Sequence, residues 1–187
     1  MTDNIPNSPK PDISWDIEKR IFVKENVIDA SLCDDIIKFG TDNVKQGINK
    51  YTQLFDVSFH TCLLPLENEA HKNLQDVWQE IRNHFEVDID FVEPYELKRY
   101  TSGDYFGRHT DNYYSLTGSI DRKITLSVQL TNDDEYEGGE FNVLGIKHKL
   151  KKGSVISFPT FFPHEITPIV SGTRWSLIGW AWGPYWK

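Results

Sequence analysis

Two histidines, one aspartate and one arginine are the residues whose types and spacing suggest chemistry. His109 and Asp111 stand two apart in the stretch Tyr100-Thr101-Ser102-Gly103-Asp104-Tyr105-Phe106-Gly107-Arg108-His109-Thr110-Asp111-Asn112. On extended backbone, residues two apart point to the same face, so an imidazole and a carboxylate share one centre. A second imidazole must come from a distant strand. His164, in Phe161-Phe162-Pro163-His164-Glu165, is the best candidate. Two imidazoles and one carboxylate occupy one face of an octahedron and leave three positions open. Ferrous iron uses such openings for a bidentate 2-oxo acid and for dioxygen. The far carboxylate of the oxo acid then needs a cation. Arg174, ten residues after His164, offers a planar fork that binds carboxylate in bidentate fashion and keeps its charge. No second charged anchor is evident beside it. A zinc hydrolase could use the same three ligands, but it needs a general base, and nothing nearby identifies one.

Each piece alone has a plainer reading. A His-x-Asp pair is most often structural, a lone histidine before a strand is more often a surface or core group, and an arginine on a strand usually faces solvent. Their order gives them weight: His-x-Asp, a Gly-Gly turn, a histidine and then an arginine, all inside a strand-rich segment.

The elements that must position these residues show in the hydrophobic pattern. Residues 20–28 suit a first strand, and Asp29 or Ser31 can cap a helix that runs to about Gly40, with Leu32, Ile36 and Ile37 toward the core. Leu74, Val77, Trp78, Ile81 and Phe85 fall on one stripe at 3.6 residues per turn, which predicts a second helix packed on a sheet. From Pro94 the period shortens. Candidate strands cover 95–100, 123–130, 139–143, 146–150, 154–158, 164–169 and 173–182, punctuated by Gly, Asp and Asn. Many short strands after two helices imply a mainly β fold, a barrel or sandwich supported by helices on one face. Residues 41–61 fit neither template and suit a lid over a site or a plain hairpin. Residues 1–14 hold three prolines and few apolar groups, which suggests a disordered arm before a single domain over 15–187.

The 187 residues, 39% of them apolar and 13% aromatic, suffice for one domain with its own core. No apolar run is long enough to cross a membrane as a helix, and the first residues lack the apolar stretch of a secretory leader. Cys33 and Cys62 form no metal-type pair, so a cytoplasmic setting is the default, with a disulfide left open. The net charge of −8 disfavours nucleic acid. Lys147, His148, Lys149, Lys151 and Lys152 make the one basic cluster, which suits a lysine-rich hairpin protecting a sheet edge.

In residues 95–182 the chain resembles the prolyl 4-hydroxylase-like branch of the 2-oxoglutarate/Fe(II) dioxygenases. The words that carry the resemblance are Tyr100 through Asn112, Arg122-Lys123-Ile124-Thr125-Leu126, Tyr136-Glu137-Gly138-Gly139-Glu140-Phe141, Pro163-His164-Glu165 and Gly172 through Trp180. The resemblance implies a double-stranded β-helix, the cupin-like jelly roll. It implies His109, Asp111 and His164 as ligands of Fe(II), O2 and 2-oxoglutarate as co-substrates, ascorbate as an optional addition, and Arg174 on the C5 carboxylate. Tyr100 matches a tyrosine that can bond the same carboxylate, and Trp180 an aromatic that packs beside it; ordinary barrel packing is the alternative for both. One departure is that the hypoxia-type enzymes carry a tyrosine where Val128 falls. The implied reaction is hydroxylation of a C–H bond with release of succinate and CO2, on a prolyl residue of a peptide or protein. A free amino acid or other small metabolite is the alternative substrate. A catalytically silent jelly-roll binding module is a further alternative, and the intact set of four residues argues against it. The same module used as a nucleic-acid demethylase would want a second arginine six residues after Arg174, where Trp180 stands.

Overall fold

The structure, a computed structural model, describes residues 17–46, 57–112 and 120–184. A 3-10 turn, Ile17–Arg20, leads into β1, Phe22–Lys24, and then into helix α1, Ala30–Asn43. Asp29 caps α1 by accepting the Leu32 N–H at 2.8 Å, and Ser31 Oγ donates to the same carboxylate oxygen. These bonds hold the Asp29 carboxyl below its ordinary range. Leu32, Cys33 and Ile36 turn inward. Helix α2, Ala70–Phe85, buries Leu74, Val77, Trp78 and Ile81 along the stripe read from the sequence. Its last turn is closed by Glu86 in the left-handed region, and Trp78 Nε1 donates to the Tyr95 hydroxyl at 2.7 Å, fastening the helix to the sheet.

Between and after the helices come β2 Lys45–Gln46, β3 Val57–Ser58, β4 His60–Leu63, β5 Phe91–Val92, β6 Glu96–Thr101 and β7 Tyr105–His109. The rest are β8 Ile120–Gln129, β9 Tyr136–Gly138, β10 Phe141–Val143, β11 Ile146–His148, β12 Val155–Pro159, β13 His164–Ile166 and β14 Ile169–Pro184. The larger sheet runs β1-β12-β8-β14-β6-β4-β2, with β5 and β9 also paired to β14; the smaller runs β11-β10-β13-β7-β3. Every pairing is antiparallel. The two sheets face each other as a double-stranded β-helix.

Alternation along the long strands sorts side chains into two cores. Leu97 of β6, Ile124, Leu126 and Val128 of β8, and Trp175, Leu177 and Ala181 of β14 point toward the helices and join Ile36, Leu74 and Ile81. Their neighbours point the other way, between the sheets, where Tyr100, Ile156, Phe158, Phe141 and Ile166 form a second cluster. The space between the sheets also takes polar and charged side chains.

Several sequence expectations shift in detail. The first strand is three residues rather than nine, because Glu25 to Asp29 turn to reach the helix cap. Strand β14 starts at Ile169, so the predicted strands over 164–169 and 173–182 divide differently. Of the 41–61 stretch, 47–56 lie outside the described residues, so the lid expectation falls mostly on them; 41–43 finish α1, and β2, β3 and the start of β4 follow. The arm 1–14 also lies outside. Of the lysine-rich segment, Lys147 and His148 lie on the edge strand β11 and the other lysines follow it; Lys147 pairs with Glu140, Lys149 with Asp133, Lys151 with Glu25 and Lys152 with Asp34. Both cysteines are free thiols, and burial pushes Cys33 up to about 11. Among the described residues no helix is long and apolar enough to cross a membrane.

Helix α1 also passes through Gly40 instead of ending there. A Cβ at Gly40 would stand 2.5 Å from both Leu97 Cδ2 and Trp175 Cζ3, so the missing methyl lets α1 sit down on the sheet. Alanine favours an isolated helix over glycine by roughly 1 kcal/mol, but overpacking a core costs about 1–3 kcal/mol. Gly40→Ala should therefore lower the urea midpoint of unfolding. A variant as stable as the parent would show that Leu97 and Trp175 can yield.

Candidate metal and anion site

The pairing of β13 with β7 sets His164 directly opposite His109. Their ring centroids lie 4.2 Å apart. Asp111 follows two residues after His109, just past the end of β7, where its N–H donates to the Thr160 carbonyl at 2.9 Å. That bond ties the exit of β7 to the turn before His164. Thus one short pairing and one backbone bond assemble three side chains from two distant stretches of sequence. Their ligating atoms all lie within 4.8 Å of one another, close enough to hold a metal ion.

The chemistry of the three groups suits a cation. His109 Nδ1 meets the Gly107 carbonyl at 2.8 Å and His164 Nδ1 meets the Phe162 carbonyl at 2.9 Å. A carbonyl only accepts, so each Nδ1 carries a proton, and each Nε2 is the ring atom turned toward the cluster. Those two Nε2 atoms face the two oxygens of Asp111 at 3.5 and 3.4 Å. Adjacent ligands of an octahedral ion at about 2.1 Å stand roughly 3 Å apart, so a small adjustment seats one. Asp111 is oriented as well: its Oδ2 accepts from Thr125 Oγ1 at 2.8 Å and from Trp180 Nε1 at 2.9 Å. Burial alone would raise the Asp111 pKa, but the imidazoles beside it outweigh burial and hold the carboxyl well below its usual range. Burial holds the His109 imidazole below its usual range, against the pull of Asp111. An anionic carboxylate and neutral imidazoles are the protonation states that metal binding needs.

Aromatic rings fix the imidazoles from behind. Phe106 stacks on His109 at 3.7 Å and 6°, and Phe59 stacks in turn on Phe106. Phe158 meets His164 edge-on at 4.9 Å. On the other flank, the Arg122 guanidinium lies 4.2 Å over the Trp180 ring and pairs with Glu93 at 2.5 and 2.8 Å. This clamp holds the indole that holds Asp111.

Arg174 lines the same chamber as the three metal-type ligands. It is 2% exposed. Its Nη1 donates to Ser176 Oγ at 3.3 Å, its Nε has no partner, and among the described residues no carboxylate pairs with it. Tyr100 stands opposite it across β6 and β14, with the guanidinium 5.7 Å from the ring centre. Burial pushes the Tyr100 phenol well above its ordinary value, with Arg174 pulling back only in part. It stays a neutral O–H donor. An unpaired buried guanidinium costs several kcal/mol of desolvation, so the chamber is built to receive an anion.

All the residues singled out in the sequence (His109, Asp111, His164, Arg174, Tyr100 and Trp180) line one chamber. Trp180 stands at the metal end, on Asp111. The proposed gap at Val128 falls differently: Val128 belongs to the helix-side core, because period-2 alternation turns it away. The inward positions on either side of it are Ser127, which lines the chamber, and Gln129, which lines an adjoining cavity that also reaches Arg174. Of the other aromatics near the cluster, Phe162 is core, Phe106 backs His109, and Phe161 is 45% exposed. Sequence reading missed Thr125 and, above all, Lys98, which also lines the chamber. Lys98 lies two residues before Tyr100, and the alternation that joined His109 to Asp111 would have placed it on the inward face.

Residues 95–182 match the model of the 2OG-Fe(II) oxygenase superfamily. A PKHD-type hydroxylase from Prochlorococcus marinus strain SARG is 38% identical over 84 residues, which are 43% of this chain and 37% of that protein. The chain thus spans well under half the length of this curated relative. Among solved structures, the viral collagen prolyl hydroxylase of Paramecium bursaria Chlorella virus-1, in its 2OG complex, superposes with a TM-score of 0.70. It is 22% identical, over 88% of this chain and 96% of that one. A prolyl hydroxylase from Trichoplax adhaerens, solved with a hypoxia-inducible factor peptide fragment, gives 0.65 at 14% identity, over 87% and 83%. These likenesses share the fold described above. Residues 95–182 of this chain thus resemble the 2OG-Fe(II) oxygenase superfamily, and the chain shares the fold of the prolyl hydroxylases.

Proposed function

We propose that this chain is a 2-oxoglutarate- and Fe(II)-dependent dioxygenase that hydroxylates a prolyl residue in a peptide or protein. In that reaction one C–H bond becomes C–OH while 2-oxoglutarate and O2 yield succinate and CO2. The observation that carries the oxygenase reading is one chamber holding both a two-imidazole, one-carboxylate cluster and a buried guanidinium without an anion. A zinc hydrolase accounts for the cluster but leaves Arg174 unexplained.

His109, Asp111 and His164 would hold the iron, and the bound iron with 2-oxoglutarate would supply oxygen activation. The residues of the chain do the rest. Asp111 is kept ionised and aimed by Thr125 and Trp180. Arg174 neutralises the C5 carboxylate, and Tyr100 offers that end a neutral hydroxyl. Phe106, Phe141 and Ile166 keep part of the walls apolar, which strengthens the charge contacts inside. The prolyl substrate rests on the PKHD-type relative and the prolyl hydroxylase neighbours, and on Phe161 exposed beside His164, a surface that suits proline-rich backbone. Hydroxylation of a free amino acid or small metabolite is the second reading. It gains support from Lys98, the additional charged anchor that such a substrate would want.

Succinate release from 2-oxoglutarate with Fe(II) tests the reaction, and mass spectrometry of proline-containing peptides, free proline and other metabolites for one added oxygen tests the substrate. Oxidation of a metabolite but of no peptide would overturn the prolyl-peptide reading alone. Removing one partner of a buried ion pair costs about 3–5 kcal/mol, so Arg174→Ala should raise the 2-oxoglutarate KM by about a hundredfold or more. Lysine should rescue it only in part, since it lacks the fork. An unchanged KM in the alanine variant would place the anchor elsewhere. Trp180→Phe keeps the ring under Arg122 but removes the donor to Asp111. Outer hydrogen bonds of this kind are worth about 10–100-fold in metal affinity, so Mn(II) titration of W180F should show a loss in that range. Equal affinity would mean that Thr125 alone orients Asp111.

A further inference from the structure

Lys98 is a second buried cation in the chamber of Arg174. Its side chain is 7% exposed. Residues 98 and 100 share the inward face of β6, and Lys98 pairs with Ser176 as Tyr100 pairs with Arg174. Lys98 therefore sits one inward step along the strand from the Arg174–Tyr100 level. Its Nζ lies 4.6 Å from the ring centre of Phe59, 5.1 Å from Phe106 and 5.5 Å from Trp180. Phe106 is the ring stacked on His109, and Trp180 is the ring bonded to Asp111. The ammonium thus stands among the side chains that support the metal cluster.

This cation is poorly partnered. Its one carboxylate neighbour is Glu96, at 3.6 Å and itself 30% exposed. That distance is an ion contact beyond hydrogen-bonding range. Among the described residues the ammonium makes no hydrogen bond. The three ring faces attract it, but they offer no lone pair to its three N–H donors. A lysine whose only role is packing usually lays its stem on apolar surface and carries its ammonium out to water. Instead it turns into the chamber and keeps its donors open.

We propose that Lys98 is a second carboxylate-binding position, distinct from Arg174 and placed toward the metal end of the chamber. The carboxylate has two possible sources: the keto-acid end of the co-substrate, or an acidic group on the primary substrate. The inference rests on the oxygenase reading above and deepens it. An acidic substrate group would shift the substrate class toward carboxylate-bearing molecules.

The test uses full-length wild type, Lys98→Met and Lys98→Arg, loaded with Mn(II) under argon and followed by calorimetry. The first arm titrates 2-oxoglutarate and 2-oxopentanoate, which keeps the keto acid but lacks the distal carboxylate. The second arm, at saturating 2-oxoglutarate, titrates N-acetylproline and N-acetylglycine against their amides. If the co-substrate supplies the carboxylate, K98M weakens both oxo acids about tenfold or more, and K98R restores most of the affinity. If the substrate supplies it, oxo-acid binding is unchanged, and a wild-type preference for carboxylate over amide disappears in K98M and returns in K98R. Unchanged oxo-acid affinity together with no Lys98-dependent preference overturns the proposal. If methionine unfolds the chain, Lys98→Gln gives the same reading. Failure of wild type to bind any oxo acid would instead overturn the oxygenase reading on which this one stands.

Discussion

Charge buried between two sheets must be answered at close range, and the interior of this molecule is arranged around that demand. Asp111, Arg174 and Lys98 all lie in one chamber. None of the three forms an ion pair with another. Asp111 is held by two imidazoles and two neutral donors, Arg174 by one hydroxyl, and Lys98 by aromatic faces. A fold that only needed stability would have paired or removed such groups, since apolar replacements of buried ions are often neutral or stabilising. Their separation is what makes room for a metal at one end and an anion at the other.

The rest of the fold serves to hold that separation fixed. Alternation along β6, β8 and β14 sends apolar side chains toward α1 and α2 and polar ones between the sheets, so one set of strands builds both the core and the site. The helices act at a distance. Gly40 lets α1 approach Leu97 and Trp175, the outward neighbours of Lys98 and Arg174. The Glu93–Arg122–Trp180–Asp111 chain carries constraint from the end of β5 to the metal ligand. Support for the imidazoles comes from the smaller sheet and the rings stacked on it.

Much of this was legible in the sequence because it depends on local spacing. The α2 stripe and the shared face of His109 and Asp111 follow from periods of 3.6 and 2, and the Asp29 cap from the type of one residue at a helix start. What was not legible depends on register between distant strands. The facing of His164 and His109 is a pairing of β13 with β7, and no single segment encodes it. Val128 shows the same limit, since a one-residue shift exchanges chamber for core. Lys98 was legible in principle, two residues from Tyr100, but its meaning needed the ring neighbours contributed by Phe59, Phe106 and Trp180. Gly40 looked like a helix stop because only the packed sheet shows why a methyl is missing there.

The central claim is that the cluster and the buried guanidinium act as one site, so that metal and 2-oxoglutarate bind together. Calorimetric titration of the wild-type chain with 2-oxoglutarate, with and without Mn(II) under argon, tests it directly. The account predicts one 2-oxoglutarate per chain in the presence of one Mn(II), and binding weakened at least tenfold when the metal is removed or when His164 is replaced by alanine. Equal 2-oxoglutarate affinity with and without metal, or no binding in either state, would contradict it.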